Sequence, residues 1–293
     1  MEIDSFGRQL LFTTVRIEAI LADGTKSVGT GFIFNANRQG LMCPILVTNK
    51  HVIEGTSTGK LWFIASEGVG PRLGDAVDIN YANFDNQWTG HSDDNVDVTC
   101  MPLTNTVIQA DAAGRQVFYK AIGSDMAPKP NNVSDLDAIE EIVFAGYPNA
   151  LYDTENKTPI VRRGMTATPM ELNYRGLPTF LIDASVFPGS SGSPVFVLQK
   201  GGFKDGNTFR VGSSRVFFVG ILASGHVRAE SGEISVGTGP TVKFNQLMDL
   251  GIVFNWLAVE EAIEACCKKH GINRDQEVVP GEGTFEANDS DDV

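Results

Sequence analysis

The chain has 293 residues, of which 42% are hydrophobic and 20% charged, proportions that suit a protein with a packed core. The formal net charge of −13 disfavours nucleic acid as a partner, because the phosphates would be repelled rather than neutralised. Seven acidic side chains and no basic one lie in residues 275–293, so we expect residues 272–293 to form an acidic, disordered tail.

The N-terminal stretch lacks the features of a signal peptide, since Arg16 and Glu18 interrupt its apolar residues. No apolar run is long enough to cross a membrane. The cysteines show no spacing typical of a disulfide framework, which indicates reduced thiols: Cys43, Cys100, Cys266 and Cys267. We therefore expect a cytoplasmic protein with no membrane partner.

Alternation of apolar and polar residues predicts β-strands along most of the chain. In residues 11–20 the side chains of Val15, Ile17 and Ala19 fall on one face, which is typical of a half-buried strand. Asp23-Gly24 predicts a hairpin turn. Further strands are predicted at residues 28–34, 45–48, 98–103, 141–148, 179–184, 194–198 and 215–223. Residues 66–96 are polar and rich in Gly, Asn and Asp, which predicts short strands on long loops.

One segment carries a convincing helical pattern, residues 256–269, where we expect Leu257, Ile263 and Cys267 to share one face, with Val259 and Ala262 close to it. Asn255 is the expected N-cap and Gly271 the stop signal. Strands on both sides of a linker predict an all-β protein with two β-barrels and a C-terminal α-helix. The predicted parts are residues 1–120 for the first barrel, 121–140 for the linker, 141–254 for the second barrel, 255–271 for the helix and 272–293 for the tail.

The sharpest chemical feature is the turn Pro188-Gly-Ser-Ser-Gly-Ser-Pro194. Glycines let such a turn bend tightly, expose one hydroxyl and point several N–H groups outward. An acyl-transfer enzyme needs this combination, because a serine oxygen attacks a carbonyl while N–H groups receive the developing negative charge. A Gly/Ser-rich turn without chemistry is the alternative that this string alone leaves open.

A serine hydroxyl needs a base, and the chain has four histidines. We interpret His270 as structural, at a helix end where a cationic ring would complement the helix dipole. His91 lies in the polar segment and His226 just past an apolar strand, and we expect both to be solvated. His51 follows a strand and is the candidate base, although a buried structural histidine has the same local pattern.

The third group must be a carboxylate that holds the imidazole in the correct tautomer and orientation. Asp97 is the candidate, since it stands where a polar loop meets an apolar strand. Asp93 and Asp94 are alternatives, and for both a loop-capping role is the stronger interpretation.

Taken together, these segments resemble the chymotrypsin-like serine proteases, in particular the bacterial trypsin-like peptidases and the Deg/HtrA-type protease domains. Histidine, aspartate and serine occur in that family's order. The similar strings are Gly29-Thr-Gly-Phe-Ile-Phe, Thr48-Asn-Lys-His-Val-Ile, Asp97-Val-Thr, Gly146-Tyr-Pro, Gly189-Ser-Ser-Gly-Ser-Pro and Val219-Gly-Ile-Leu-Ala-Ser-Gly. Asn49 and Lys50 stand where the family has small residues. Only a short tail follows residue 271, so we expect no PDZ module of the HtrA kind.

The resemblance implies two antiparallel six-stranded barrels and a Ser–His–Asp triad that cleaves peptide bonds through an acyl-enzyme. Ser191 would be the nucleophile, His51 the general base and then acid, and Asp97 the residue that orients His51. The N–H groups of Gly189 and Ser191 would form the oxyanion hole. No metal or other cofactor is implied, and the partner would be a protein or peptide substrate.

The resemblance also indicates where specificity is set. The floor of the primary pocket would fall at Ser185, which has no charge to select Arg or Lys, so we expect small or apolar side chains before the scissile bond. Asp183, two residues earlier, would reverse this preference if the register were shifted. Ala223, Ser224 and Gly225 would line the substrate cleft.

The start of the chain and the residue before the nucleophile predict activity without N-terminal cleavage, or else control by rearrangement of the loop before Ser191. Ser190 stands where digestive members of the family have an aspartate, and the chain lacks an Ile-Val-Gly-Gly start. Such an enzyme needs restraint by narrow specificity or by a regulatory protein partner. The alternative functions are a catalytically inactive binding module and an esterase that uses the same triad.

Overall fold

The structure is a computed structural model that describes residues 2–37, 41–128, 136–205, 208–233 and 241–272. For residues 205, 226–233 and 241–247 it describes the backbone alone. Part of the predicted linker, residues 129–135, and the predicted tail beyond residue 272 lie outside the described residues.

The described residues are mostly strand, in agreement with the alternating sequence pattern. The strands are β1 Thr14–Leu21, β2 Lys26–Asn35, β3 Pro44–Thr48, β4 Thr56–Glu67, β5 Gly70–Ala82, β6 Thr89–Gly90, β7 Thr99–Pro102, β8 Val117–Phe118, β9 Glu141–Gly146, β10 Ile160–Thr166, β11 Thr179–Asp183, β12 Pro194–Gln199, β13 Gly202–Asp205, β14 Thr208–Val211, β15 Arg215–Glu233 and β16 Thr241–Asn255. The α-helices are α1 Phe6–Leu10, α2 Lys50–Ile53, α3 Thr104–Ala112 and α4 Trp256–Lys269. Among the described helices, none is long and apolar enough to span a membrane.

The first half of the chain forms an antiparallel sheet in the order β5-β4-β1-β2-β3-β7-β6, with β8 paired to β4. Strands β1 and β2 form the predicted hairpin, in which Gly24 turns the chain with φ of 87°. The side chains of Val15, Ile17 and Ala19 are buried, as the alternation predicts.

The second half closes into a barrel in the order β10-β11-β16-β15-β12-β9. The predicted all-β fold with a C-terminal helix is therefore confirmed, and this barrel has the six strands that the family resemblance implies. The sheet of the first half has eight strands, because two short pairings, β6 and β8, extend it.

Helix α4 begins and ends where the sequence predicts. The Asn255 side chain accepts a hydrogen bond from the Ala258 N–H at 3.1 Å, and Gly271 ends the helix in the left-handed region, with φ of 64°. Its apolar face completes a core shared by both halves of the molecule. From the strands and loops this core includes Val96, Val98, Cys100, Phe218, Ile221, Ala223 and Phe254, and from the helix Ala258, Val259, Ala262, Ile263, Cys266 and Cys267.

Three local predictions are wrong. Residues 66–96 are predicted as short strands on long loops, but they include the second strand of a long hairpin, in which β4 has 12 residues and β5 has 13. Strand β5 lies at the edge of the sheet, and its largely solvent-facing residues have the polar composition of a loop. The pattern also misses α3, which buries only Ala110 and contains β-branched residues that favour strands. Leu257 is 50% exposed, since the buried face of α4 follows the i, i+3, i+4, i+7 series that starts at Val259.

Candidate active site

His51 lies in the short helix α2, directly after a strand that is buried at every position. The neighbouring side chains of Val52 and Ile53 are buried and hold this helix in place. The ring itself stays accessible, with 47% of the side chain exposed. An accessible ring on a buried support is the opposite of the structural histidine that the sequence pattern left open.

Asp97 lies in the segment between β6 and β7, residues 91–98, which we call the acid loop. The acid loop folds back on itself, because the His91 N–H donates to the Val98 carbonyl and the Val98 N–H donates to the Val96 carbonyl, both at 2.9 Å. The second of these bonds spans only two residues and makes a tight turn centred on Asp97.

Two side chains ahead of His51 tie the acid loop to its helix. Asn49 Nδ2 donates to the Asp97 carbonyl at 2.6 Å, and Lys50 Nζ donates to the Asp93 carbonyl at 2.9 Å. These are the positions where the chain departs from the small residues of the resembled family. This departure from the family pattern is the sequence signal that could have indicated a special role for Asn49 and Lys50. In the structure that role is to hold the acid loop against α2.

The carboxylate of Asp97 contacts His51 at two points. Its Oδ2 lies 2.5 Å from the ring Nδ1, and its Oδ1 accepts the backbone N–H of His51 at 3.0 Å. A carboxylate on Nδ1 holds the ring's proton there and leaves Nε2 to accept a second proton. Of the two alternatives, Asp93 instead caps the loop by accepting the Asn95 N–H at 2.9 Å, a bond that lowers the pKa of the Asp93 carboxyl, and Asp94 is exposed.

The turn that carries Ser191 needs glycine at two positions. Gly189 and Gly192 have φ of 88° and 90°, in the left-handed region. A Cβ at Gly192 would overlap the Thr30 carbonyl oxygen, and a Cβ at Gly189 would overlap the Tyr147 carbonyl oxygen. The Gly-Ser-Ser-Gly spacing therefore follows from the close approach of two other backbone segments to this turn.

The same turn leaves two N–H groups available to a ligand. Among the described residues, the N–H groups of Gly189 and Ser191 donate to no protein acceptor, whereas the Ser190 N–H between them donates to the Phe187 carbonyl at 3.0 Å. The Asn149 N–H donates to the Pro188 carbonyl at 2.6 Å. The Pro188 carbonyl and the Gly189 N–H belong to the same trans peptide group, so the N–H points away from Asn149.

The Ser191 hydroxyl donates to the Ala223 carbonyl at 2.7 Å. Ala223 is the extra residue of a bulge in β15, since Leu222 pairs with Val253 and Ser224 pairs with the adjacent Ile252. A rotation about the Cα–Cβ bond of Ser191 would redirect this hydroxyl away from β15. The structure thus brings His51 and Asp97 into direct contact, and it holds Ser191 on the second barrel.

Thr30 in β2 joins the sheet of the first half of the chain to residues 188–194. These residues form the turn that carries the candidate nucleophile Ser191, and we call it the nucleophile turn. The sequence did not suggest this role for Thr30. Its N–H donates to the Ser191 carbonyl at 2.9 Å, and its hydroxyl donates to the Gly189 carbonyl at 2.8 Å. The same hydroxyl accepts the Tyr147 N–H at 3.1 Å, and the Thr30 carbonyl accepts the Thr48 hydroxyl at 2.7 Å. Thr30 therefore links the turn to the strand that leads to His51.

The segment before the nucleophile turn packs against the cleft strand β15. Ser185 is partly exposed, and the next side chain, Val186, is buried. Val186 fills the space beside two glycines, because a Cβ at Gly225 would lie 3.3 Å from its Cβ and a Cβ at Gly251 would lie 2.8 Å from its Cγ2. Asp183 and Ser224 are exposed.

The other histidines differ from their predicted settings. His91 is buried and lies 2.9 Å from Glu261, so the prediction of a solvated ring is wrong; the polar segment around it is covered by α4. Burial, and then the charge of Lys269, lower the pKa of His270, which disfavours the cationic ring expected at this helix end. The side chain of His226 lies outside the described residues.

The cysteine thiols do not take part in this site. None of the four forms a disulfide. Burial raises the pKa of Cys266 to about 12 and that of Cys100 well above its usual value, so these thiols stay protonated and unreactive. Among the described His, Cys, Asp and Glu residues, no group of three or more is arranged to hold a metal ion.

A family model decides the family of the chain. The model described as the trypsin-like peptidase domain matches residues 29–203, more than half of the sequence. The chain belongs to the trypsin-like peptidase family. The matched region of this trypsin-like peptidase includes His51, Asp97 and the nucleophile turn around Ser191. No curated protein is similar enough in sequence to be counted as a relative.

Several solved proteases have a fold similar to that of this trypsin-like peptidase. The Rv3671c protease of M. tuberculosis in its active form is 15% identical, with 93% of this chain and 86% of that chain covered and a TM-score of 0.46. The serine endoprotease from Yersinia pestis is 15% identical, with 90% and 65% covered and a TM-score of 0.48. The protease Anisep from Arthrobacter nicotinovorans is 14% identical, with 88% and 97% covered and a TM-score of 0.47.

Proposed function

We propose that this trypsin-like peptidase is a serine endopeptidase in which Ser191, His51 and Asp97 form the catalytic triad. The observation that carries the proposal is the two-point contact of Asp97 with His51, because it leaves the ring's Nε2 as the proton acceptor. The nucleophile turn supports the proposal with a hydroxyl at Ser191 and with two N–H groups that have no protein acceptor among the described residues.

In the proposed reaction the Ser191 hydroxyl turns from the Ala223 carbonyl toward His51 and gives its proton to Nε2 as Oγ attacks the scissile carbonyl carbon. The N–H groups of Gly189 and Ser191 receive the charge on the carbonyl oxygen. Protonated His51, held by Asp97, then gives the proton to the leaving amine as the C–N bond breaks. Water attacks the acyl-enzyme by the same route and restores the serine.

The proposed enzyme needs no N-terminal cleavage for activity. The nucleophile turn is held by the Thr30 hydroxyl on the Gly189 carbonyl and by the Asn149 N–H on the Pro188 carbonyl, and neither bond involves the side chain of Ser190. Intact mass measured alongside activity tests this point. Activity that arises only in a shortened chain would contradict it.

We propose that the enzyme prefers a small side chain on the substrate residue before the scissile bond. The residues that would contact the substrate there are Ser185, Ala223, Ser224 and Gly225. Val186 supports this preference, because it occupies the space between the backbones of Gly225 and Gly251. Profiling a peptide library with the wild type and Val186→Ala tests the proposal: the wild type should favour small side chains, and the variant should accept larger ones. A preference for Arg or Lys would contradict the proposal and would indicate that Asp183, not Ser185, forms the floor of the pocket.

Labelling with a fluorophosphonate probe tests the nucleophile. The wild type should react, Ser191→Ala should not, and the matched variant Ser190→Ala should react normally, because the Ser190 oxygen is buried and forms no hydrogen bond among the described residues. Loss of labelling in Ser190→Ala alone would transfer the role to that serine.

Absence of labelling in the wild type would favour the binding module instead. For a protein that labels, digestion of casein separates a peptidase from an esterase, since only the peptidase converts it to fragments.

A further inference from the structure

His91 connects the acid loop to the C-terminal helix, and the proposed reaction does not use it. The ring is only 9% exposed, and its Nε2 lies 2.9 Å from Glu261 Oε2, 170 residues further along the chain. Its Nδ1 accepts the Asp93 N–H at 3.0 Å. Because Nδ1 acts as an acceptor, the proton of the neutral ring is on Nε2, and Nε2–H donates to the Glu261 carboxylate.

The ring supports the acid loop at the start of a series of hydrogen bonds that ends beside Asp97. The Asp93 N–H donates to the ring, the Asp93 carbonyl accepts the Val96 N–H at 3.1 Å, and the Val96 carbonyl accepts the Val98 N–H. The Val98 carbonyl in turn accepts the His91 N–H, which closes the loop on its first residue. Through these hydrogen bonds, the position of the backbone on both sides of Asp97 depends on the position of His91.

Helix α4 holds the same loop by two kinds of contact. The side chains of Val96 and Val98, which flank Asp97, are buried in the shared core with Val259 and Ala262 of the helix. Glu261 adds a polar contact from the neighbouring position on the helix, where 69% of its side chain is exposed. The apolar contacts pack the acid loop against α4, and the hydrogen bond between His91 and Glu261 fixes the position of the loop along the helix axis.

We propose that Glu261 and His91 are positioning residues for Asp97, so that the C-terminal helix sets the orientation of the His51 ring. The inference rests on the proposed function, in which Asp97 orients the catalytic base. A pair that fixes the loop acts on the rate of the chemical step, because small displacements of a catalytic group lower the rate without weakening substrate binding.

The test compares Glu261→Ala, Glu261→Gln and the matched control Glu264→Ala, which removes another exposed carboxylate of the same helix. With a peptide ester as substrate, Glu261→Ala should lower kcat by about 10- to 100-fold and leave KM within about twofold. Glu261→Gln should restore most of kcat, because its amide oxygen can accept the His91 Nε2–H. The double variant Glu261→Ala/His91→Asn should lower kcat no further than the more damaging of the two single variants does, as expected for two members of one interaction.

A second readout does not depend on catalysis. The proton between His51 Nδ1 and Asp97 should give a low-field NMR resonance. This resonance should shift or broaden in Glu261→Ala and stay unchanged in Glu264→Ala, and the same difference is expected when both variants also carry Ser191→Ala. If the wild type proves inactive while this resonance responds to Glu261→Ala, the proposed function fails and the positioning role stands. If Glu261→Ala matches Glu264→Ala in kcat and in the resonance, or lowers only the melting temperature, the inference is overturned.

Discussion

At the scale of single residues, the hydroxyl of Thr30 is a buried anchor of the nucleophile turn. It donates to the Gly189 carbonyl and accepts the Tyr147 N–H, and all three groups lie at the junction of the two halves of the chain. A buried backbone group that loses its partner costs about 1–3 kcal/mol, so the turn depends on this side chain.

We predict that Thr30→Val, which keeps the shape and removes the hydroxyl, destabilises the folded protein by about 1–3 kcal/mol in urea unfolding and slows fluorophosphonate labelling of Ser191. Thr30→Ser keeps the hydroxyl and should label at close to the wild-type rate. Equal labelling rates for Thr30→Val and the wild type would show that the turn keeps its conformation without this hydroxyl.

Glycine at position 192 is a second requirement at the residue scale. Gly192→Ala would bring a methyl group into the Thr30 carbonyl oxygen at a backbone conformation, φ of 90°, that alanine rarely adopts. We expect the variant to lose probe labelling. Gly176→Ala is the control for backbone strain alone, since Gly176 also has positive φ and nothing lies near its Cβ position; its labelling should persist.

At the scale of elements, the last helix is stabilised by its N-cap and by the core it completes. The Asn255 side chain accepts the Ala258 N–H, a contact worth about 1 kcal/mol. We predict that Asn255→Ala lowers the free energy of unfolding by about that amount, whereas Asn255→Asp retains most of it. Chemical denaturation followed by circular dichroism measures both; a neutral Asn255→Ala would mean that the core alone fixes the start of α4.

At the scale of the whole molecule, the shared core places three thiols between the two halves of the chain. Cys100, Cys266 and Cys267 are buried there, whereas Cys43 is only partly buried. Burial raises the pKa of Cys266 to about 12, so almost none of this thiol is in the reactive thiolate form at pH 8.

We predict that iodoacetamide at pH 8 alkylates Cys43 in the folded protein and reaches the other three thiols only when the molecule unfolds. Mass spectrometry of the digested protein identifies the modified positions, and Cys43→Ala should remove the label of the folded state. Fast alkylation of Cys266 or Cys267 without unfolding would show that α4 opens separately from the core.

Local rules account for much of this protein. Alternation identified the hairpin of β1 and β2, and capping rules identified both ends of α4, because each signal depends on residues close together in the chain. For the same reason a glycine-bounded serine predicted a tight turn around the candidate nucleophile. Edge strand β5 and helix α3 escaped those rules, since few of their side chains are buried and apolar periodicity is weak where burial is slight.

The sequence favoured Asp97 over Asp93 and Asp94, and only the tertiary structure brought the Asp97 carboxylate against the ring of His51. It also gave the buried ring of His91 a partner in Glu261 and placed Thr30 at the nucleophile turn, through hydrogen bonds between residues 170 and 159 positions apart. Contacts at such separations are set by how the sheets and the last helix pack together. The residue types that can do the chemistry are thus evident in the sequence, and their orientation comes from the packing.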